Sequence, residues 1–215
     1  MIKQAGGFFS FLPKPLVMSK LFMVLCILLG ISCLSKAKLN NDLDVNLKQK
    51  AIVAKAYCEK NNMNRDVCIL IDMKIHSGKK RFFLWNLKGD SVLKSGMCSH
   101  GTCGSLNSYD PSLSPQFSNT PESHCSSLGK YKIGNRGYST FGININYKLH
   151  GLEKSNSNAF KRFIVFHSWG ITDEEIYPQE LTESWGCPAV SNNFMREMDS
   201  VLKNEKQSVL LWIYN

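Results

Sequence analysis

Seven short runs of β-forming residues, spread from Val67 to Tyr214 and broken by turn residues, limit what this chain can become. They read VCILIDM (67–73), RFFLWNL (81–87), SVLKSGM (91–97), KYKIG (130–134), FGININYKL (141–149), RFIVFHS (162–168) and SVLLWIY (208–214). His76-Ser77-Gly78-Lys79 and Lys88-Gly89-Asp90 separate the first three, which predicts an antiparallel meander. Helical spacing recurs in two places. Leu43, Leu47, Ala51, Ala54 and Cys58 share one face before Asn61, Asn62 and Asn64 end the pattern. Phe194, Met198, Val201 and Leu202 form a second face after Ser191, a candidate N-cap. No internal repeat or linker divides the chain. The fold class expected is mainly β with flanking helices (α+β), in a single domain.

The 215 residues suffice for one domain with a core, and 43% hydrophobic against 20% charged residues excludes a disordered chain. The formal net charge is +9. Lys3, Lys14, Lys20 and Lys36 supply four of those charges in an acid-free N-terminus. What remains is mildly basic, without a basic stripe interleaved with aromatics, so nucleic acid is not an expected partner. A polyanionic surface such as a bacterial envelope fits better. The segment MSKLFMVLCILLGISCLSKA (18–37) has the form of a secretory signal: Lys20, an apolar run over 21–34, then Ser35 and Ala37 at small-residue positions. The run is short for a membrane span. Three readings stay open: cleavage after Ala37, lipid attachment at Cys33 as a membrane anchor, or retention of the segment as an uncleaved anchor. The expected organisation is therefore a signal over 1–37, an N-terminal helix over 38–64 and a globular domain over 65–215, exported to the periplasm or cell envelope and monomeric.

Six cysteines lie beyond that signal: Cys58, Cys68, Cys98, Cys103, Cys125 and Cys187. An even number in an oxidising compartment invites disulfides, but spacing does not assign pairs. Residues 98–128 are rich in Ser, Asn, Pro, Gly and His, and a loop of that length is usually functional. A Cys98–Cys103 or related disulfide is the leading expectation there. A zinc site from Cys98, Cys103, His124 and Cys125 has the right ligand types without a strong spacing pattern, and free thiols are the remaining reading. Tyr131 and Tyr138 read as packing residues, and Asp173-Glu174-Glu175 as a solvated loop or a lid.

One cysteine stands apart. In ESWGCPAV (183–190), Gly186 permits a sharp turn, and Pro188 fixes the backbone beyond Cys187 without adding an N–H. A cysteine nucleophile needs a base to ionise it and donors for an oxyanion, and the amides of Gly186 and Cys187 are candidate donors. His167 ends an apolar strand where a histidine is out of pattern. It precedes Ser184-Trp185-Gly186-Cys187 by a spacer of 16 residues.

This combination resembles the L,D-transpeptidases of bacterial cell walls. Their motif is a histidine, a spacer of similar length, then Ser/Thr-His-Gly-Cys. The chain is similar to a divergent branch reading Ser-Trp-Gly-Cys-Pro-Ala. FSNTPESHCSSLGKYKIG (117–134), HGLEKSNSNAFKRFIVFHS (150–168) and SHG (99–101) extend the resemblance over roughly residues 65–192.

The resemblance implies a β-sandwich or barrel with Cys187 as nucleophile and His167 as general base. It implies that the backbone carbonyl of Ser168 orients the imidazole. Ser184, Gly186 and Trp185 are then expected at the donor site, with His100, Ser126 and Ser127 lining the substrate channel. The implied partners are peptidoglycan stem peptides, with no cofactor and no metal. The implied chemistry is thioester acyl transfer releasing terminal D-alanine, either to an amine (3–3 cross-links) or to water (an L,D-carboxypeptidase), with carbapenems as acylating agents. A non-catalytic peptidoglycan-binding relative is the competing reading, because Trp185 replaces the motif's second histidine. Papain-like cell-wall peptidases place Cys before His, and no histidine follows Cys187. Sortases share the His–Cys order, but their arginine would have to be Arg196, inside the predicted second helix.

Overall fold

Strands buried on both faces set the layering of this protein. The structure is a computed structural model and describes residues 44–104 and 116–215. Its strands are β1 (Val67–Asp72), β2 (Phe82–Asn86), β3 (Ser91–Gly96), β4 (Gly129–Tyr138), β5 (Ile145–Gly151), β6 (Val165–Ser168), β7 (Ala189–Val190) and β8 (Leu210–Tyr214). Helix α1 covers residues 44–60 and helix α2 covers Asn192–Leu202. Residues Leu47–Asn215 form one compact unit. The described residues contain no helix long and apolar enough to cross a membrane. The expected export signal over 1–37 lies outside them, as does Leu43.

The strands make one eight-stranded sheet in the order β3-β2-β1-β8-β4-β5-β6-β7. The β1–β2–β3 meander is antiparallel, whereas β1 pairs with the C-terminal β8 in parallel, from Cys68↔Leu210 to Asp72↔Tyr214. Alternation along the central strands feeds two cores. Val67, Ile69 and Ile71 of β1 and Leu211 and Ile213 of β8 join one core with Phe194, Met195 and Met198 of α2. Cys68, Leu70 and Leu210 join the other with Leu47, Ala51, Ala54 and Cys58 of α1. Continuous apolar runs in the sequence are what such doubly covered strands require. Phe82 links three elements: its ring lies 5.3 Å from Phe166 of β6 and 5.2 Å, edge on, from Phe194 of α2. Burying an aromatic ring of this kind is worth about 1.5–3 kcal/mol.

Beyond β3 the chain runs alongside β7. Ser99 N–H donates to Ala189 O at 2.9 Å, Ala189 N–H donates to Ser99 Oγ at 3.3 Å, and Gly101 bridges Ser184. The two ends of the sheet are thereby brought together, giving a nearly closed, barrel-like sheet with two helices.

Several expected boundaries move. Residues 141–144 form a turn instead of the start of β5, with left-handed backbone at Gly142 and Asn144 (φ 59° and 62°). β6 begins at Val165 because Phe163 is also left-handed, at φ 55°. β4 runs on to Tyr138, past a register shift between Ile133 and Arg136. Tyr131 is buried and its hydroxyl donates to Ser127 O at 2.6 Å, whereas Tyr138, expected to pack, is exposed. Ser191 caps α2 as expected, its Oγ accepting from Phe194 N–H at 3.0 Å. The acidic stretch after β6 is anchored. Asp173 bonds to Ser191 and Asn193 at the start of α2, and Glu175 accepts from Lys80 N–H at 2.9 Å.

Candidate active site

Parallel pairing of β6 with β7 sets His167 opposite Ala189, two residues beyond Cys187. The strand pairing therefore brings the histidine and cysteine segments side by side. Both side chains line one cavity of about 540 Å³, together with Ser184, Trp185, Arg162, Glu122, His124, Phe141, Phe163, Val165 and Trp169. Cys187 is unbridged and half-buried.

His167 Nδ1 lies 2.9 Å from Ser168 O. A carbonyl only accepts, so Nδ1 carries the proton and Nε2 keeps its lone pair. Burial lowers the imidazole's pKa, opposed by the Ser168 bond, so the ring is neutral at neutral pH. Cys187 Sγ accepts from Val165 N–H at 3.4 Å and sits 3.9 Å from Phe163 O. Burial raises the thiol's pKa, against the pull of Val165 N–H and the Arg162 charge. The resting pair is thus imidazole and thiol, not imidazolium and thiolate.

The other cysteines are chemically quieter. Burial pushes Cys58 to about 11 and Cys98 to about 12, and raises Cys68 as well. Cys103 and Cys125 form a disulfide. The expected Cys98–Cys103 bridge is replaced because Cys98 is turned into the core. The same bridge removes two thiolates from the zinc set considered above. Among the described residues no three metal-binding side chains converge.

The turn carrying Cys187 is tightly built. Gly186 has φ 102°, and a Cβ there would lie 2.7 Å from Cys125 O and 3.1 Å from Ile164 Cδ1, so only glycine fits. Ser184 Oγ accepts from Gly186 N–H at 3.2 Å and donates to Cys187 O at 2.6 Å. The Gly186 amide is therefore occupied within the turn. Among the described residues no acceptor takes the Cys187 N–H, which leaves it available for an oxyanion.

Three of the expected site residues, Ser126, Ser127 and His100, lie outside the cavity wall. Ser126 Oγ accepts from Gly101 N–H at 3.0 Å and donates to Gly186 O at 3.2 Å, supporting the turn from behind. Ser127 Oγ accepts from Arg162 Nη1 at 2.7 Å. His100 is buried between Arg81 and Glu183 and does not line the cavity. Trp185 does, half of its surface exposed, with its ring stacked on His124 at 4.8 Å.

The sequence reading missed Arg162. Its guanidinium donates to Ser118 O, Ser127 Oγ, Ser123 Oγ and Cys125 O at 2.7–3.2 Å, pinning the 118–127 segment against the cavity. It also missed the aromatic wall, in which Phe141 stacks on Trp169 at 5.6 Å and Phe163 stands 84% exposed. Arg162 and Phe163 belong to the 150–168 stretch that carried the resemblance, but nothing in their local pattern separates a cavity residue from a surface one.

A thiol, a neutral imidazole with its outer nitrogen free, an open amide and a mostly apolar cavity form an arrangement that can transfer acyl groups. Comparison with known proteins bears on which family uses it. No curated protein matches the chain. Among solved structures, the helical cell shape determining protein Pgp2 from Campylobacter jejuni aligns with TM-score 0.42 and 11% identity over 69% of this chain and 47% of that one. An L,D-transpeptidase from Xylanimonas cellulosilytica aligns with TM-score 0.34 and 13% identity over 71% of this chain and 63% of that one. The chain thus spans about half the length of the first of these and under two thirds of the second. The family model described as the L,D-transpeptidase catalytic domain matches residues 39–214, most of the sequence. This chain belongs to the L,D-transpeptidase catalytic domain family.

Proposed function

We propose that the protein is a peptidoglycan L,D-transpeptidase that works through a thioester on Cys187. The observation carrying this reading is one cavity lined by both an unbridged Cys187 and a neutral His167 whose Nδ1 is committed to Ser168 O. The acyl donor is a stem peptide ending in D-alanine. Sγ attacks the carbonyl before that residue while His167 Nε2 takes the thiol proton. The Cys187 N–H holds the oxyanion. Collapse breaks the C–N bond, His167 returns the proton to the leaving amine, and D-alanine departs. An amine on a second stem then attacks the thioester, losing its proton to His167. The C–S bond breaks and the thiol is restored, leaving a 3–3 cross-link. Water in place of the amine makes the same thioester that of an L,D-carboxypeptidase.

Ser184 supports the reading as the hydroxyl that shapes the nucleophile's turn, and Trp185 as a wall of the donor site. No step calls for a metal or an organic cofactor. The activity belongs on the cell-wall side of the membrane, with the chain exported as a monomer, whether free or lipidated at Cys33.

Mass spectrometry of stem tetrapeptides after incubation with the protein tests the proposal. Cross-linked dimer is expected, and Cys187→Ala should yield none while remaining folded. Trimmed tripeptide alone would assign the carboxypeptidase. Unchanged substrate, with no carbapenem adduct on Cys187, would leave a binding protein and end the enzymatic reading.

A further inference from the structure

Arg81 is almost fully buried, yet among the described residues no carboxylate touches it. Its Nε donates to Cys98 O at 2.8 Å, Nη1 to Ile75 O at 3.2 Å, and Nη2 contacts His100 Nδ1 at 2.9 Å. A guanidinium has donors only, so His100 Nδ1 must accept, and the imidazole carries its proton on Nε2. That nitrogen lies 3.5 Å from Glu183 Oε1. Cation, neutral imidazole and carboxylate thus stand in file, with Asp72 and Glu180 acting on Arg81 at longer range. A buried cation without a direct counter-ion is costly to maintain, so the file needs a reason.

The reason lies at its far end. Glu183 immediately precedes Ser184, and the backbone of His100 holds the same residue. His100 O accepts Ser184 N–H at 2.8 Å and is also 3.2 Å from Ser184 Oγ, and Thr102 N–H donates to Ser184 O at 2.9 Å. Ser184 Oγ in turn fixes Gly186 N–H and Cys187 O. Side chain and backbone of His100 therefore grip the two residues that begin the nucleophile's turn.

We propose that Arg81 and His100 are positioning residues: the Arg81–His100–Glu183 file locks the Ser184–Cys187 turn, so that the Cys187 amide and sulfur keep their aim into the cavity. This rests on Cys187 being the nucleophile. The file touches no substrate, and His100 faces the back of the turn instead of the channel.

Three variants of the full chain test it. His100→Asn keeps an acceptor for Arg81 but is too short to reach Glu183. His100→Gln offers an acceptor and a donor along the same line. Glu183→Gln removes the terminal charge near the surface. With a stem tetrapeptide as donor, His100→Asn and Glu183→Gln should lower kcat by about tenfold or more, leaving KM within about twofold, as expected for a misplaced but still accessible reacting group. His100→Gln should recover most of the loss. Amide hydrogen exchange at Ser184 and Gly186 should quicken in the two impaired variants while β1 stays protected.

Wild-type kcat in Glu183→Gln, or kcat falling only in step with the folded fraction, would overturn the proposal. If His100→Asn does not fold, Glu183→Gln decides alone. Should the wild-type protein never acylate Cys187, the nucleophile reading falls, and the exchange measurement still judges the file: unchanged exchange at Ser184 and Gly186 refutes it.

Discussion

A neutral imidazole and a protonated thiol lining one cavity dictate how the proposed reaction should respond to pH. His167 is held below the ordinary imidazole value of about 6.5, and Cys187 above the ordinary thiol value of about 8.5. Donor kcat/KM should therefore rise with pH through a midpoint below about 6.5, then stay flat through neutrality until the thiol itself ionises. A bell with a rising limb set by a depressed thiol pKa and a falling limb set by a raised imidazole pKa, the mark of a preformed thiolate–imidazolium pair, would contradict the resting state described here. Cys187 and His167 were legible in the sequence because a glycine-proline frame and a histidine closing an apolar strand are each out of pattern. Arg162, His124 and Phe141 were not, since each sits in a segment whose neighbours are polar or aromatic too. Only the meeting of β6, the 118–127 segment and the 184–187 turn gives them a common cavity.

At the scale of elements, the central strands were legible because two-sided burial writes itself as unbroken apolar runs, as in β1 and β8. β7 escaped notice because two residues carry no periodicity. The overextended starts of β5 and β6 fail at Asn144 and Phe163, both left-handed; asparagine tolerates that conformation readily, whereas phenylalanine rarely adopts it and gives no hint of it in the sequence. The 184–187 turn is sensitive to a single added atom. Gly186→Ala should cost about 1 kcal/mol of stability or more, because alanine resists φ 102° and its Cβ meets Cys125 O. Turnover should fall by more than about tenfold as the turn shifts. Chemical denaturation and donor kinetics on the same preparation separate the two effects.

For the molecule as a whole, the disulfide and the buried histidines decide how it survives its surroundings. Cys103–Cys125 closes a sequence separation of 22 residues and anchors the strand of chain that Arg162 grips. Its reduction should lower unfolding free energy by about 3 kcal/mol, read from denaturant midpoints with and without reductant. It should also impair turnover before the fold is lost, because Cys125 O touches both Arg162 and the Gly186 turn.

Acid acts differently. Burial, and Arg81 beside it, lower His100 to about 3, whereas an unfolded chain protonates near the ordinary imidazole value, about 6.5. Between those values the unfolded state binds the extra proton. Stability from this residue is complete above pH 6.5 and drains away as pH falls towards 3, at up to about 1.4 kcal/mol per pH unit. His167, shifted the same way by burial, adds to the same decline below about 6.5. His100→Gln should flatten the decline in a series of thermal melts.

Burial of Cys187 has a further consequence, for chemical durability. Peroxides, disulfides and alkylating agents attack the anionic form of sulfur far faster than the protonated one. If Cys187 is the proposed nucleophile, a sulfur that surrenders its hydrogen only when an acyl donor arrives can spend its idle time among oxidants without being spoiled, which is how a lone, half-buried cysteine persists in an oxidising compartment.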